Sequence, residues 1–575
     1  MPFSSSSPAR SLPAATAGQA LLPPEDDLFY LGVLAGFVSL AMFFYFFRHG
    51  EILLYGDATA HIHIARRVFD SRTPGLTQLG TVWLPLPHLL MLPFLLSNWA
   101  WQSGAGGSLP SMVAYVAGVL GIFRLVRGLW PENPHGRIAA WLAALIYGAN
   151  PNLLYLQSTA MTESLYLAAF LWATVYFGEF VRAARKTETL AKAQCRRALY
   201  RCGIMLSAAM LIRYDGWFAA GVFALAAAIV LWKGTGGQAE LWRSLRPAFT
   251  RFLLLVAIAP AFWLAYNAIF WGNALEFATG PYSARALEAK AEGPGGWHHP
   301  GWHSPKVAGL FFLKAAELNL AGGAPQPEPP EARPHYGRLE NAWLPLAGLG
   351  TVLLLLFARA GWPCLLLWLP LPFYSASMAW GGVTIFVPSW WPYSHNNVRY
   401  GLQLLPALAV FAALAVGLAV RRAKPKSWRI AAPLVLLAFT GGCYWVVWKA
   451  APIALQEAQT NSRGRLLFDQ TLGKQLRLLE PDATVLIYTA RHAAALEFAG
   501  FPLRRTINET NRQLWRAALA APAQHAEYVV AFDTPDDPVR QAVQEHADNL
   551  QLLLVLSSPT EPRAWLYGRK PVGSR

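Results

Sequence analysis

Apolar runs long enough to cross a bilayer begin near residues 28, 111, 138, 164, 202, 216, 252, 342, 362, 401 and 430. A hydrocarbon core about 30 Å thick takes about 20 residues of helix. Lipid offers no partner for backbone N–H and C=O groups, so runs of this kind must close their hydrogen bonds internally. The series therefore confines the chain to a bundle of membrane helices. A content of 54% hydrophobic residues with 24 tryptophans fits a polytopic protein and excludes an ordinary soluble one.

A further run, 84–100, is interrupted by Pro85, Pro87 and Pro93. The basic loops decide how to treat it. If 84–100 is a re-entrant or interfacial helix, five Lys/Arg clusters fall on one side: Arg124/Arg127/Arg137, 182–201, 233–251, Arg359 and 421–429. Positive-inside bias makes that side the cytoplasm. This predicts about eleven spans in a cell inner (plasma) membrane, with the N-terminus cytoplasmic and the C-terminal domain extracytoplasmic. The formal charge of +16 lies largely in those loops, where anionic lipid accounts for it, so no nucleic-acid partner is implied.

The expected organisation has three parts. Residues 1–27 read as a disordered cytoplasmic leader and 28–450 as the transmembrane domain, with external segments 48–110, 272–341 and 381–400. Residues 451–575 read as a small α/β domain, with strands over 484–488, 527–532 and 552–556 and helices near 463–479, 511–520 and 538–546. The segment at 293–303 is rich in Gly, His and Trp and precedes the Pro-rich 325–334; it reads as an aromatic, substrate-contacting loop. Cys195, Cys202, Cys364 and Cys443 fall in spans or on the inner side, without disulfide or metal-site spacing.

Chemistry concentrates in Tyr55-Gly56-Asp57-Ala58-Thr59-Ala60-His61, just beyond the first span. A helix over 58–70 puts Asp57 and His61 on one face and leaves Ile62, Ala65 and Phe69 as an apolar stripe for the membrane surface. Asp57 serves either as a helix N-cap or as a base at the water–lipid boundary. The same topology brings further polar groups to the outer face. These are His88, Glu163 at the mouth of the fourth span, Arg213-Tyr214-Asp215 in a tight turn, and His395-Asn396-Asn397-Val398-Arg399-Tyr400 before the tenth. Each alone has a bland reading: Glu163 as a first-turn acid, Asp215 as a turn partner of Arg213, Arg399-Tyr400 as an interfacial anchor. Together they carry complementary charge on one face, which anchoring does not require.

This order of elements resembles the membrane glycosyltransferases of the GT-C type, which include protein O-mannosyltransferases and the aminoarabinose transferases of lipid A. Asp57 matches the acidic residue after the first span, and Glu163 the second acidic residue. Trp83-Leu84-Pro85-Leu86-Pro87-His88 is similar in place to a basic-Pro-Pro segment, and Arg399-Tyr400-Gly401-Leu402-Gln403-Leu404-Leu405-Pro406 to a late Arg-Tyr motif. No lysine occupies the basic-Pro-Pro position, so His88 or an arginine takes that place. The resemblance implies transfer of a sugar, with inversion, from a polyprenyl-phosphate donor to a hydroxyl or amine of a glycan, lipid or protein. It makes Asp57 the general base, with His61 beside it. His88, Arg213, Tyr214, Asp215, His395, Asn396, Arg399 and Tyr400 become donor or substrate contacts. Glu163 either orients the acceptor or holds a divalent cation. The competing readings are a secondary transporter, which calls for midplane charges and two related halves, and a non-catalytic scaffold that binds envelope components.

Overall fold

A computed structural model describes residues 25–130, 134–184, 189–235, 239–292, 298–323, 339–422 and 425–571. Residues 1–24 of the expected 1–27 leader, the loop residues 293–297 and the Pro-rich 325–334 lie outside the described residues, while 25–27 open the helix Glu25–Arg48.

The chain is a multi-pass helical bundle. Among the described residues, eight helices are long and apolar enough to cross a membrane, from Asp26–Arg48 to the segment within Lys426–Leu476. The three remaining apolar runs are helical but interrupted or polar at one end. The run from 138 gives Pro134–Gly148 and then Pro151–Gln157, broken where Asn150 caps the second helix. The run from 202 is the apolar half of Thr189–Ile212, and that from 362 splits into a 3-10 stretch, Arg359–Trp368, and the helix Pro370–Trp380. The interrupted 84–100 segment folds as Leu86–Met91, Phe94–Leu96 and Asn98–Gln102, each too short to span.

Burial separates centre from rim. The helices Glu163–Ala184 and Val398–Arg422 are 83% and 89% buried over their apolar windows, against 22% for Asp26–Arg48 and 28% for Leu339–Phe357. Rim side chains such as Phe37, Val113, Trp232 and Ile269 are exposed apolar groups, as lipid contact requires. Centre and rim pack closely where side chains vanish. A Cβ on Gly350 would lie 1.8 Å from the carbonyl oxygen of Phe411, so only glycine lets Trp343–Phe357 approach Leu405–Arg422.

Beyond the last span, the helix Ile453–Leu476 leads into a five-stranded mixed sheet. Its strands are β1 (Val485–Ile487), β2 (Thr506–Ile507), β3 (Tyr528–Phe532), β4 (Leu550–Leu556) and β5 (Ala564–Arg569), in the order β2-β1-β3-β5-β4. β2 and β3 flank β1 in parallel, while β5 runs antiparallel to both β3 and β4. The sequence reading found β1, β3 and β4 and missed β2 and β5.

Candidate functional site

The helix after the first span runs over Gly56–Arg67, earlier than expected, and its N-cap is Tyr55, with no side-chain cap bond. Asp57 sits in the first turn and is no cap, which corrects the bland reading of that residue. Of the expected membrane stripe, Ile62 and Ala65 are fully buried and pack inside the protein, Ile62 against Gly107, while Phe69 alone is exposed. Arg66 explains the tight seat. It donates to the Leu95 carbonyl, to Asn98 and to Asp70, tying this helix to the short helices over 86–102.

Carboxylates stand in the first turns of three helices: Asp57 on Gly56–Arg67, Glu163 on Glu163–Ala184 and Asp215 on Asp215–Thr235. Free N–H groups and the helix dipole favour negative charge there. Two arginines draw the three together. Arg399 Nη2 lies 2.6 Å from Asp57 Oδ2 and its Nε 3.4 Å from Glu163 Oε1. Arg213 Nη1 lies 3.5 Å from the same Glu163 oxygen, and its Nε 3.4 Å from Asp215 Oδ2. Tyr374 closes this side, its hydroxyl accepting from Arg213 at 2.8 Å and donating to Asp215 at 3.0 Å. The Tyr400 ring lies between the guanidinium groups, 4.8 Å from Arg213 and 5.0 Å from Arg399. A ring face attracts each cation while keeping the two apart. Arg399 is only 6% exposed, which rules out an interfacial anchor.

Glu457, which the sequence reading left unmarked, is the fourth carboxylate. It lies in Ile453–Leu476, accepts from the Arg399 side chain, and also takes the backbone N–H groups of Asn397 at 3.1 Å and Arg399 at 3.2 Å. Charge-assisted bonds of this kind fix both the side chain and its loop.

These groups, apart from Glu457, border a cavity of about 500 Å³. Asp57, His61, Glu163, Arg213, Tyr214, Asp215, Arg399 and Tyr400 all line it, with Phe277, Phe373 and Trp380 as apolar wall. Asp57 has a side chain 41% exposed, whereas that of Glu163 is 1% exposed. Asp57 is therefore the carboxylate a ligand reaches. Arg285, in the helix Ala284–Glu292, also lines the cavity; it is exposed and, unlike Arg213 and Arg399, has no carboxylate partner among the described residues.

Three expected contacts lie elsewhere. His88 is fully buried behind His61, its Nε2 2.8 Å from His61 Nδ1, and does not line the cavity. Asn396 bonds Thr384 and lines a neighbouring pocket of about 310 Å³. His395 lines neither, its carbonyl accepting from Asn461 at 2.8 Å. Asn397 turns the chain with φ at 53°, which directs Arg399 and the residues before it apart. In the glycine-rich loop, His298 stacks on Trp302 at 4.2 Å and His299 meets Glu288 at 2.9 Å.

Burial holds His61 neutral. It depresses the imidazole from the ordinary 6.5 to about 4, with Asp57 opposing and Arg213 and Arg399 adding to the shift. His61 therefore offers a hydrogen bond, not positive charge, at neutral pH. His88 shifts the same way, again through burial first. Because the folded pKa lies below the unfolded one, the unfolded chain binds more protons, and stability falls as pH drops from about 6.5 towards 4. Melting in detergent between about pH 6.5 and 5 should show this contribution as a difference between variants, because buried acids such as Glu317, pushed up to about 7, titrate there as well. A His61→Asn variant should flatten the slope; an equal slope in both proteins would refute the assignment.

The residues do not fit a resident metal ion. Among the described residues no three His, Cys, Asp or Glu side chains are placed to hold one. Asp57, Glu163 and Glu457 are all engaged by Arg399 instead.

A helical membrane bundle with paired acids at the ends of its first and fourth expected spans, and a small mixed domain after its last, is the GT-C type of fold. The crystal structure of ArnT from Cupriavidus metallidurans bound to undecaprenyl phosphate has this fold, with a TM-score of 0.52, 14% identity, and 94% of this chain and 97% of that one covered. The oligosaccharyltransferase of Archaeoglobus fulgidus tethered with an acceptor peptide aligns more loosely, with a TM-score of 0.45 and 13% identity over 96% of this chain and 75% of that one. No protein-family model matches the chain, and no curated protein does.

Proposed function

We propose that this protein is a membrane glycosyltransferase that moves a sugar from a polyprenyl-phosphate donor to an acceptor hydroxyl or amine. The observation that carries the reading is Asp57: a carboxylate open to a cavity of about 500 Å³, oriented by an arginine and faced by apolar wall. In this reading Asp57 accepts the acceptor's proton as its oxygen or nitrogen attacks the anomeric carbon. The bond from that carbon to the phosphate oxygen breaks, the electron pair leaves with the lipid phosphate, and direct displacement inverts the centre. Glu163, held by two arginines, orients Arg399 and Arg213 rather than the acceptor. Phe277, Phe373 and Trp380 suit the first prenyl units.

The leaving phosphate needs a cation that is not already neutralised. At an effective dielectric of about 20, opposite charges 4 Å apart attract by about 4 kcal/mol, and a carboxylate already on the cation removes most of that gain. Among the described residues Arg285 is the cavity arginine without such a partner. Arg285→Leu is expected to lower kcat/KM for the donor by about ten- to a hundredfold, the scale of one charge-assisted bond. Arg285→Lys should lose less, since it keeps charge but not the fork. Unchanged donor kinetics in Arg285→Leu would return phosphate binding to Arg213 and Arg399.

The same reading places the cavity on the extracytoplasmic face. An engineered thiol near Asp536 should then react with an impermeant reagent outside intact cells, and one near Lys192 should not. Labelling in the opposite sense would put the site on the cytoplasmic side, away from a flipped lipid donor.

A further inference from the structure

We propose that His88 keeps the proton of His61 on Nε2, so that a neutral imidazole N–H faces the phosphate oxygen from which the sugar departs. Two helices set the pair. His61 lies on Gly56–Arg67 and lines the cavity, its ring tilted against Trp83 at 4.7 Å. His88 lies on Leu86–Met91 and is fully buried, away from the cavity. Arg66 fixes one segment on the other by donating to the Leu95 carbonyl and to Asn98. The rings meet nitrogen to nitrogen, His61 Nδ1 against His88 Nε2 at 2.8 Å. Burial keeps both rings neutral at neutral pH, so one of these nitrogens donates and the other accepts.

The unshared nitrogens decide which. His88 Nδ1 is buried and has no hydrogen-bond partner among the described residues. If His61 donated, His88 would carry its own proton on Nδ1, a buried N–H with no acceptor, which is the costlier kind of orphan. If His88 donates, Nδ1 keeps only a lone pair. The cation that acts on His88 is Arg67, whose Nε is a buried donor also without a partner among the described residues. A lone pair is the better neighbour for such a donor. His88 Nε2–H therefore donates, His61 Nδ1 accepts, and His61 carries its proton on Nε2, the nitrogen turned away from His88. An N–H there can serve only an acceptor. In the glycosyltransferase reading, on which this step rests, the acceptor that gains charge is the phosphate oxygen losing its bond to the anomeric carbon. His61 keeps its proton throughout, since the lipid phosphate leaves with the electron pair and needs no acid. Arg285 brings charge from the exposed side and His61 a hydrogen bond from the buried side. His88 acts through His61 and is a positioning residue.

The test uses the full-length chain with isotopically labelled histidine, the His61 signals being those that vanish in His61→Phe. Solid-state nuclear magnetic resonance at neutral pH should place the His61 proton on Nε2. Undecaprenyl phosphate, added as the probe, should shift that nitrogen's signal. A proton on His61 Nδ1 in the native chain would overturn the proposal, as would an Nε2 signal that undecaprenyl phosphate leaves unmoved.

Transfer gives the second arm. His61→Phe, which has no N–H, should lower kcat by about a hundredfold with the donor KM little changed, the scale of one lost donor to a developing oxyanion. His88→Leu should cost about tenfold by freeing the ring, and His88→Gln, whose amide again donates to Nδ1, should recover most of that. Native kcat in a folded His88→Leu protein would overturn the positioning role. Should His88→Leu fail to fold, the tautomer and the phosphate response of the native chain still decide the matter. Neither uses a sugar or an acceptor, so absence of transfer by the native chain would sink the glycosyltransferase reading and leave both measurements standing.

Discussion

Asp57→Asn is expected to lower glycosyl transfer by roughly a hundredfold or more, the scale on which a positioned general base contributes. Amide and carboxylate have nearly the same size, so packing around Tyr55 and the helix Gly56–Arg67 should hold. The change removes proton acceptance at an atom open to the cavity and deletes one of three carboxylates on Arg399. Loss of that pair should affect stability modestly, because Glu457 and Glu163 still hold the guanidinium and Asp57 is part exposed. Asp57→Ala should therefore be no less stable by capping logic: the N-cap is Tyr55, and no cap bond involves the carboxylate. Transfer from a polyprenyl-phosphate sugar and melting in detergent, measured on both variants, decide the matter. Full activity in Asp57→Asn would remove Asp57 as the base. Glu163, with its side chain 1% exposed between two arginines, is poorly placed to replace it.

Much of this arrangement was legible in the chain because charge next to an apolar span is so restricted. Asp57, Glu163, Arg213, Asp215 and Arg399 all sit at span ends, where a charge must have a partner or water. Their convergence follows once the spans are oriented. The same logic failed for Glu457, Tyr374 and Arg285. Glu457 lies in Ile453–Leu476, a helix whose composition reads as water-soluble, and nothing local marks one of its acids as the partner of a residue 58 positions earlier. Arg285 sits among other charges in an external segment, where an unpaired arginine is ordinary. His395 and Asn396 were assigned by adjacency to Arg399, but Asn397 in the left-handed region turns them away. In the outer domain, β5 mixes Trp565, Tyr567 and Gly568 without a clean polar alternation, so its pairing with β3 and β4 is a tertiary choice.

The residue next to this motif is expected to be nearly as sensitive as the acids, for reasons of space alone. Gly401 lies in the 3-10 stretch Val398–Leu404, which presses against the helix Pro305–Ala321. A Cβ there would fall 2.3 Å from the backbone carbon of Ala315 and 2.4 Å from the nitrogen of Ala316. These are backbone atoms of a packed helix and have no rotamer to yield with. A web of buried amides adds to the rigidity. The Asn319 side chain donates to the Val398 carbonyl at 2.9 Å, while Asn150 and Asn152 both donate to the Asn319 carbonyl at 2.9 Å. Asn152 in turn accepts from Ala454, at the start of the helix that carries Glu457. Gly401→Ala must therefore push the 3-10 stretch off its seat, at about 1–3 kcal/mol or more for overpacking. It must also shift Arg399 and Tyr400, two residues and one residue away. A displacement of about 1 Å in a positioned group can lower a rate by about a hundredfold. Gly221→Ala is the control: it lies in the helix Asp215–Thr235 with nothing within 4 Å of its would-be Cβ, so alanine should be neutral or slightly stabilising. Melting and transfer should both fall in Gly401→Ala and hold in Gly221→Ala. A Gly401→Ala protein with native melting and native transfer would mean that the Arg399 loop does not rest on this helix.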